Sequence, residues 1–259
     1  MPPAEFQTDP ARPSPGRIVL VHGAGYDGSV WDLQTEALSA EGFQVFAPDL
    51  PGHGACTGPA LTDIESMAAW LVDRLRADSS GATAIAGHSM GSLIALEACA
   101  RAPELFASLI LVGTACPMPV APNLLQAAML EPGKAHALIN RWSFAPSAGE
   151  PDPAGPLRIA NLELMQRQPP GVLARDLNAC NIYANGAEAA ARISCPSTLI
   201  CGELDRMTPL KTAVALRDAL ARDRSNVAII TLEGAGHSMM SEQPVALTHA
   251  IRESIARPH

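Results

Sequence analysis

Short apolar runs rich in β-branched residues alternate along this chain with stretches that repeat every three or four residues, as a parallel sheet with crossover helices requires. The runs Ile18–Val21, Gln44–Ala47, Ala82–Ala86, Leu109–Val112, Thr198–Cys201 and Val227–Leu232 read as strands. Ile64, Met67, Leu71 and Leu75 form one helical stripe, Leu93 and Leu96 a second, and Leu247, Ile251 and Ile255 a third, each suited to covering a sheet face. The expected fold class is α/β, with a mostly parallel central sheet flanked by helices. At 259 residues the chain is long enough for one large domain or two small ones.

The alternation breaks between Thr114 and Ile193, where ten of the 23 prolines fall and no convincing strand occurs. Asn123–Leu130, Lys134–Trp142 and Leu157–Gln168 read there as short helices separated by Pro/Gly breaks. A segment of that length and apolarity is expected to be a helical cap (115–192) inserted after the strand ending near Val112, leaving 1–114 and 193–259 as the body.

Composition removes several classes of function. Hydrophobic residues make up 47% and charged residues 17%, well away from the disordered regime. The net charge is −8 and the only lysines are Lys134 and Lys211, so a nucleic-acid surface is not expected. No apolar run reaches membrane-spanning length, and Met1–Gly16 carries five prolines without an apolar core, so the expectation is a soluble, unexported, cytoplasmic protein. The six cysteines include no C-x-x-C pair and read as free thiols. No histidine pair has metal-ligand spacing, and neither a metal nor an organic cofactor is expected.

One short segment carries chemistry by position. Gly87-His88-Ser89-Met90-Gly91 lies between a strand and the helix opened by Ser92-Leu93-Ile94, the context that a nucleophilic serine on a sharp turn needs. A serine needs a base, and the base an orienting acid. His237 follows the last strand in a glycine-rich loop, while Glu203 and Asp205 both follow the preceding strand, giving the chain order serine, acid, histidine.

With V-H-G-A-G at 21–25, D-L-P-G-H-G at 49–54, G-H-S-M-G at 87–91, G-E-L-D-R-M-T-P at 202–209 and G-A-G-H at 234–237, the chain resembles the α/β-hydrolase superfamily, capped serine-hydrolase subgroup, from Arg17 to its C-terminus. The resemblance implies the α/β-hydrolase fold, with Ser89 as nucleophile and His237 as general base and acid. Asp205 is then the orienting acid, since the family pattern G-x-x-D selects it over Glu203. The first oxyanion donor is the amide of Met90; the second is that of Ala24, with Gly25 as alternative. It also implies a hydrolase of ester-type bonds, with lactonase, thioesterase or carbon–carbon bond hydrolase as alternatives using the same residues. The superfamily commonly begins with an antiparallel hairpin, for which Met1–Gly16 is short and proline-rich.

Other readings stand beside these. Gly23-Ala24-Gly25-Tyr26-Asp27-Gly28, with Asp49 about twenty residues beyond, is also a literal dinucleotide fingerprint, and a NAD-dependent oxidoreductase is the remote alternative. A hydrolase-fold binding protein without turnover is another. His22 and His53 are expected to order loops, and His88 to pack beside the serine. The expected partner is a small molecule, and Met118, Met129, Trp142, Phe144 and Met165 are the cap residues that could line its pocket.

Overall fold

The computed structural model describes residues 16–77, 82–146, 154–220 and 226–257. Its strands are β1 (Arg17–Val21), β2 (Gln44–Phe46), β3 (Thr83–His88), β4 (Phe106–Val112), β5 (Ser197–Gly202) and β6 (Val227–Leu232). They form one six-stranded sheet in the order β2-β1-β3-β4-β5-β6, every pair parallel. All six predicted strands are present. β3 and β4 run longer than predicted, because His88 and the Phe106–Ser108 segment continue the ladder past the β-branched cores of those strands. The expected shortfall of an N-terminal hairpin falls on residues 1–15, which lie outside the described residues.

Eleven α-helices are described: α1 (Asp32–Ala40), α2 (Ile64–Arg76), α3 (Met90–Arg101), α4 (Pro122–Leu130), α5 (Pro132–Ser143), α6 (Gly155–Gln166), α7 (Val172–Ile182), α8 (Gly186–Arg192), α9 (Leu210–Leu220), α10 (Met239–Glu242) and α11 (Pro244–Ile255). α2 shows how local sequence starts such an element. The Asp63 carboxylate accepts the Ser66 amide at 2.7 Å, and the Ile64, Met67, Leu71, Leu75 stripe goes into the core. Such a cap contributes about 1 kcal/mol.

Period-two alternation in the strands splits the core into two layers. Val19, Val21, Ile85, Leu109, Leu111 and Leu199 face α2, α3 and α9. Ile18, Leu20, Ala86, Ile110, Val112 and Ile200 face the opposite way, against Trp31, Leu38 of α1 and Leu247 and Ile251 of α11. A third cluster joins the body to the inserted helices through Tyr26, Leu124, Ile139, Met165, Leu173 and Leu177.

Among the described residues five helices lie between β4 and β5, two of them outside the segments read from the sequence. α7 escapes because its start is a left-handed Gly171 (φ +82) directly after Pro169-Pro170, and α8 because Gly186-Ala187-Glu188-Ala189-Ala190 has no bulky stripe to reveal a period. None of the six cysteines forms a disulfide. No described helix is long and apolar enough to cross a membrane.

Candidate active site

Ser89 sits at the turn from β3 into α3 with φ +52, the only non-glycine residue of positive φ among the described residues. Its amide donates to the Val112 carbonyl at 2.9 Å, and its own carbonyl accepts the Ser92 amide at 2.8 Å. The flanking glycines are sterically required. A Cβ on Gly87 would come within 2.0 Å of the Gly91 carbonyl oxygen, and one on Gly91 within 2.3 Å of the Val21 carbonyl oxygen. The strained serine is thus clamped between β1 and its own helix, a price in backbone energy that tends to be concentrated at functional positions.

His237 is buried beside it. Its Nδ1 donates to Asp205 Oδ2 at 2.8 Å, and Oδ2 also accepts the Thr208 hydroxyl at 2.7 Å. Asp205 Oδ1 accepts the amides of Met207 and Thr208 at 2.8 and 2.9 Å. Burial alone would raise the Asp205 pKa, but the facing imidazole, with the Thr208 amide and hydroxyl, holds it well below the usual carboxylate range. The opposite ring nitrogen, Nε2, has no hydrogen-bond partner among the described residues, and His237 borders the same cavity as Ser89. Glu203 points elsewhere: exposed, it accepts the Gly234 amide at 2.9 Å.

The amides of Met90 and Ala24 both lie in this corner. Met90 opens α3, so its N–H has no intrahelical acceptor, and the positive end of the helix faces the serine. Gly25 is engaged otherwise, donating to Asp176 Oδ2 at 2.8 Å, which leaves Ala24 as the loop amide without an acceptor among the described residues. A Cβ on Gly23 would sit 3.3 Å from the serine Cβ, so this loop presses directly against the turn.

The remaining glycines of the apparent dinucleotide fingerprint have the same kind of cause. A Cβ on Gly28 would meet the Ala47 carbonyl oxygen at 2.3 Å. The Asp49 carboxylate accepts the amides of Gly28 and Ala55 at 2.8 and 2.7 Å, so it ties two loops together where the fingerprint would have it meet a ribose.

His22, His88 and His53 differ in their hydrogen bonding. His22 accepts the Leu50 amide on Nε2 at 3.2 Å and donates from Nδ1 to the Gly23 carbonyl at 2.9 Å. That fixes a neutral ring, and burial followed by the nearby His53 pushes its pKa down to about 4. His88 donates from Nε2 to the His237 carbonyl at 3.0 Å, with the two rings 4.6 Å apart. Burial and the neighbouring His237 lower its pKa to about 3, keeping it uncharged. His53 is directed at Asp176 instead of the cavity.

The cavity above Ser89 and His237 has a volume of about 420 Å³, and Met118, Val120, Leu124, Ile139, Trp142 and Leu177 line its apolar walls. Of the predicted pocket residues, Met118 and Trp142 are therefore there and three are not. Met129 is 66% exposed on the outer side of α4. Met165 is fully buried in the cluster that joins the insert to the body, and Phe144 is fully buried with the Arg158 guanidinium 4.9 Å from its ring centre. An apolar residue on a short helix can face substrate, solvent or neighbouring helices, and its spacing does not say which. Sequence reasoning missed Asp176, whose signal was a carboxylate in the Leu173, Leu177, Cys180 stripe of α7, where an apolar residue belongs. It also missed Arg206 and Thr208 in the cavity wall, which flank the acid so closely that only their side-chain directions reveal them.

Comparison with known proteins identifies the family. The chain is 27% identical over 231 residues to a pimeloyl-[acyl-carrier protein] methyl ester esterase of Nitrosomonas europaea, covering 85% of this chain and 88% of that protein. It is 31% identical over 213 residues to the enzyme of the same name from Chromobacterium violaceum, covering 78% and 81%. Among solved structures, a thermophilic esterase from Thermogutta terrifontis superposes with a TM-score of 0.78 at 25% identity, covering 93% of this chain and 89% of that one. The enol-lactonase from Burkholderia xenovorans LB400 shares the fold, with a TM-score of 0.84 at 21% identity over 98% and 95% of the two chains. A sequence profile described as the alpha/beta hydrolase family matches residues 18–250, so the chain is an enzyme of the alpha/beta hydrolase family.

Proposed function

We propose that this protein is a serine esterase that cleaves carboxylic esters of small, largely apolar substrates through an acyl-enzyme on Ser89. The observation that carries the reading is a strained serine and a histidine held by a buried carboxylate, bordering one apolar cavity. Because Nδ1 of His237 donates to Asp205, Nε2 carries the lone pair. That nitrogen takes the proton of Ser89 as Oγ attacks the ester carbonyl. The developing oxyanion accepts hydrogen bonds from the Met90 and Ala24 amides, and His237 then returns the proton to the departing alcohol. Water, deprotonated by the same nitrogen, releases the acid and regenerates Ser89. Each step needs only protons that the serine, the histidine and water exchange.

The insert 115–192 serves as a cap in this reading, with Met118 and Trp142 contacting the acyl chain or the alcohol group. The relatives named for methyl ester cleavage fit a small alcohol leaving group paired with a longer acyl chain. We place the protein in the cytoplasm, whose reducing conditions suit the free thiols of Cys99 and Cys201. The test is intact-mass detection of a fluorophosphonate adduct on Ser89, together with a screen of p-nitrophenyl esters of graded acyl length. Adduct formation lost in Ser89→Ala, with turnover peaking at one chain length, is the expected result. Labelling and turnover unaffected by Ser89→Ala would refute the reading.

A further inference from the structure

The carboxylate of Asp176 is fully buried although it belongs to α7, in the insert. Its Oδ2 reaches into the body and accepts two hydrogen bonds: from the Gly25 amide at 2.8 Å and from Nε2 of His53 at 3.0 Å. The other nitrogen of His53, Nδ1, faces the Pro51 carbonyl at 3.2 Å. A carbonyl and an ionised carboxylate only accept, so these contacts suit a His53 ring that carries hydrogen on both nitrogens and pairs with Asp176 as an imidazolium. The second carboxylate oxygen, Oδ1, is buried with no partner, so the charge of Asp176 is answered by His53 alone.

This ion pair is one amide away from the chemistry. Gly25 follows Ala24, whose N–H is the loop donor to the oxyanion, and Gly23 packs against Ser89. Gln168, which precedes α7, grips the same two loops, accepting the Gly54 amide at 3.0 Å and donating to Asp27 Oδ2 at 2.7 Å. Loop 22–28 is thus held by Asp176 and Gln168 of the insert, together with Asn161, which accepts the Tyr26 hydroxyl at 3.0 Å, and Arg167, 3.8 Å from the Asp27 carboxylate.

We propose that Asp176 is a positioning residue for the oxyanion hole: by binding the Gly25 amide and the His53 imidazolium together, it sets the Ala24 amide against Ser89 and makes oxyanion stabilisation depend on a docked insert. This rests on the esterase reading. Around His53 the titratable and charged groups are Asp176 on α7, His22 on the loop after β1 with its ring 4.9 Å away, and Asp49 on its own loop, while Asp27 and Arg167 lie beyond Gln168. Burial alone would lower the His53 pKa, but the Asp176 carboxylate and the Pro51 carbonyl raise it. The pairing therefore persists to higher pH than an unpaired histidine would allow and is lost as pH rises through the folded-state value.

The test compares wild type, Asp176→Asn, Asp176→Leu and His53→Gln for kcat and KM on p-nitrophenyl butyrate, and for the rate of fluorophosphonate inactivation. Misplacing one oxyanion donor is expected to lower kcat about 10- to 100-fold in Asp176→Leu, with KM changed less than about threefold. Inactivation should slow in parallel, because the phosphonyl oxygen occupies the same amides. Asp176→Asn, which can still accept the Gly25 amide, should lose less, and His53→Gln should lack the fall in kcat that wild type shows as pH rises through the folded-state value of His53. If Asp176→Leu does not fold, Asp176→Asn and His53→Gln carry the comparison. Unchanged kcat in both foldable variants, or a loss confined to KM, would overturn the inference while Ser89→Ala remained inactive. An active Ser89→Ala would instead overturn the esterase reading itself.

Discussion

Two buried acid–histidine pairs lie within the same corner of the molecule, and their contrast explains what each is for. Asp205–His237 and Asp176–His53 have nearly the same bond length, 2.8 and 3.0 Å. The difference lies at the far nitrogen of each ring. Nε2 of His237 opens on the cavity without a partner, so that imidazole is free to take up and return a proton. Nδ1 of His53 faces a carbonyl, so both nitrogens of that ring are directed at acceptors and neither is open to the cavity. One pair links two loops of the body and the other links the body to the insert. A histidine beside a carboxylate becomes a base or a clasp according to what its second nitrogen meets.

The contrast breaks first, and hardest, at Ser89. Ser89→Ala should lower ester turnover by on the order of 10⁶ in kcat, as in related triads. Asp205→Asn should lower it by up to about 10⁴ by leaving His237 in the wrong tautomer, while Glu203→Gln, which loses only a bond to the Gly234 amide, should cost less than tenfold. The reverse ranking of the two acids would assign the roles wrongly. Steady-state kinetics on one p-nitrophenyl ester checks all three.

Stability sharpens the comparison next. Because the folded-state pKa of His53 is raised, its pairing with Asp176 stabilises the protein fully below the unfolded value of about 6.5, and that contribution is lost as pH rises through the folded value. His53→Gln leaves Asp176 without a counter-charge and should destabilise by about 3–5 kcal/mol at pH 6, with a deficit that shrinks at higher pH. Thermal melts of both proteins across pH 6–9 read this; a deficit that is constant with pH would mean that His53 is neutral.

Pocket residues give the smaller effects. Trp142→Ala should change the ranking among ester chain lengths by about 1–3 kcal/mol in kcat/KM, the scale of a lost apolar contact. Phe144→Ala should leave that ranking alone but destabilise the fold by about 3–5 kcal/mol, since the ring is fully buried. Met129→Ser, at an exposed position on α4, should stay within about 0.5 kcal/mol in stability and leave kinetics unchanged.

What could be read from the residues follows from the range of the interactions that place them. Strands such as Val19–Val21 and Leu109–Val112 are specified by their own composition, and Gly87 and Gly91 announce a turn that admits no side chain. Glu203 and Asp205 could be separated only by resemblance, because two acids on adjacent turns differ in direction and not in spacing. Asp176 and His53 are 123 residues apart, and no local pattern relates them. Met129, Met165 and Phe144 were misplaced because a stripe on a short helix shows that a face is apolar and not what lies against it.

Gly113 has a consequence for how such an enzyme could change over evolutionary time. With φ +56, and with a Cβ there lying 3.1 Å from Cε1 of His237, the residue after β4 leaves little space for a side chain. Among single substitutions, an acid at residue 113 would meet both the left-handed backbone and the His237 ring, so that route to a second carboxylate beside the imidazole is sterically disfavoured, whereas the loop after β5 that carries Asp205 meets no such obstacle.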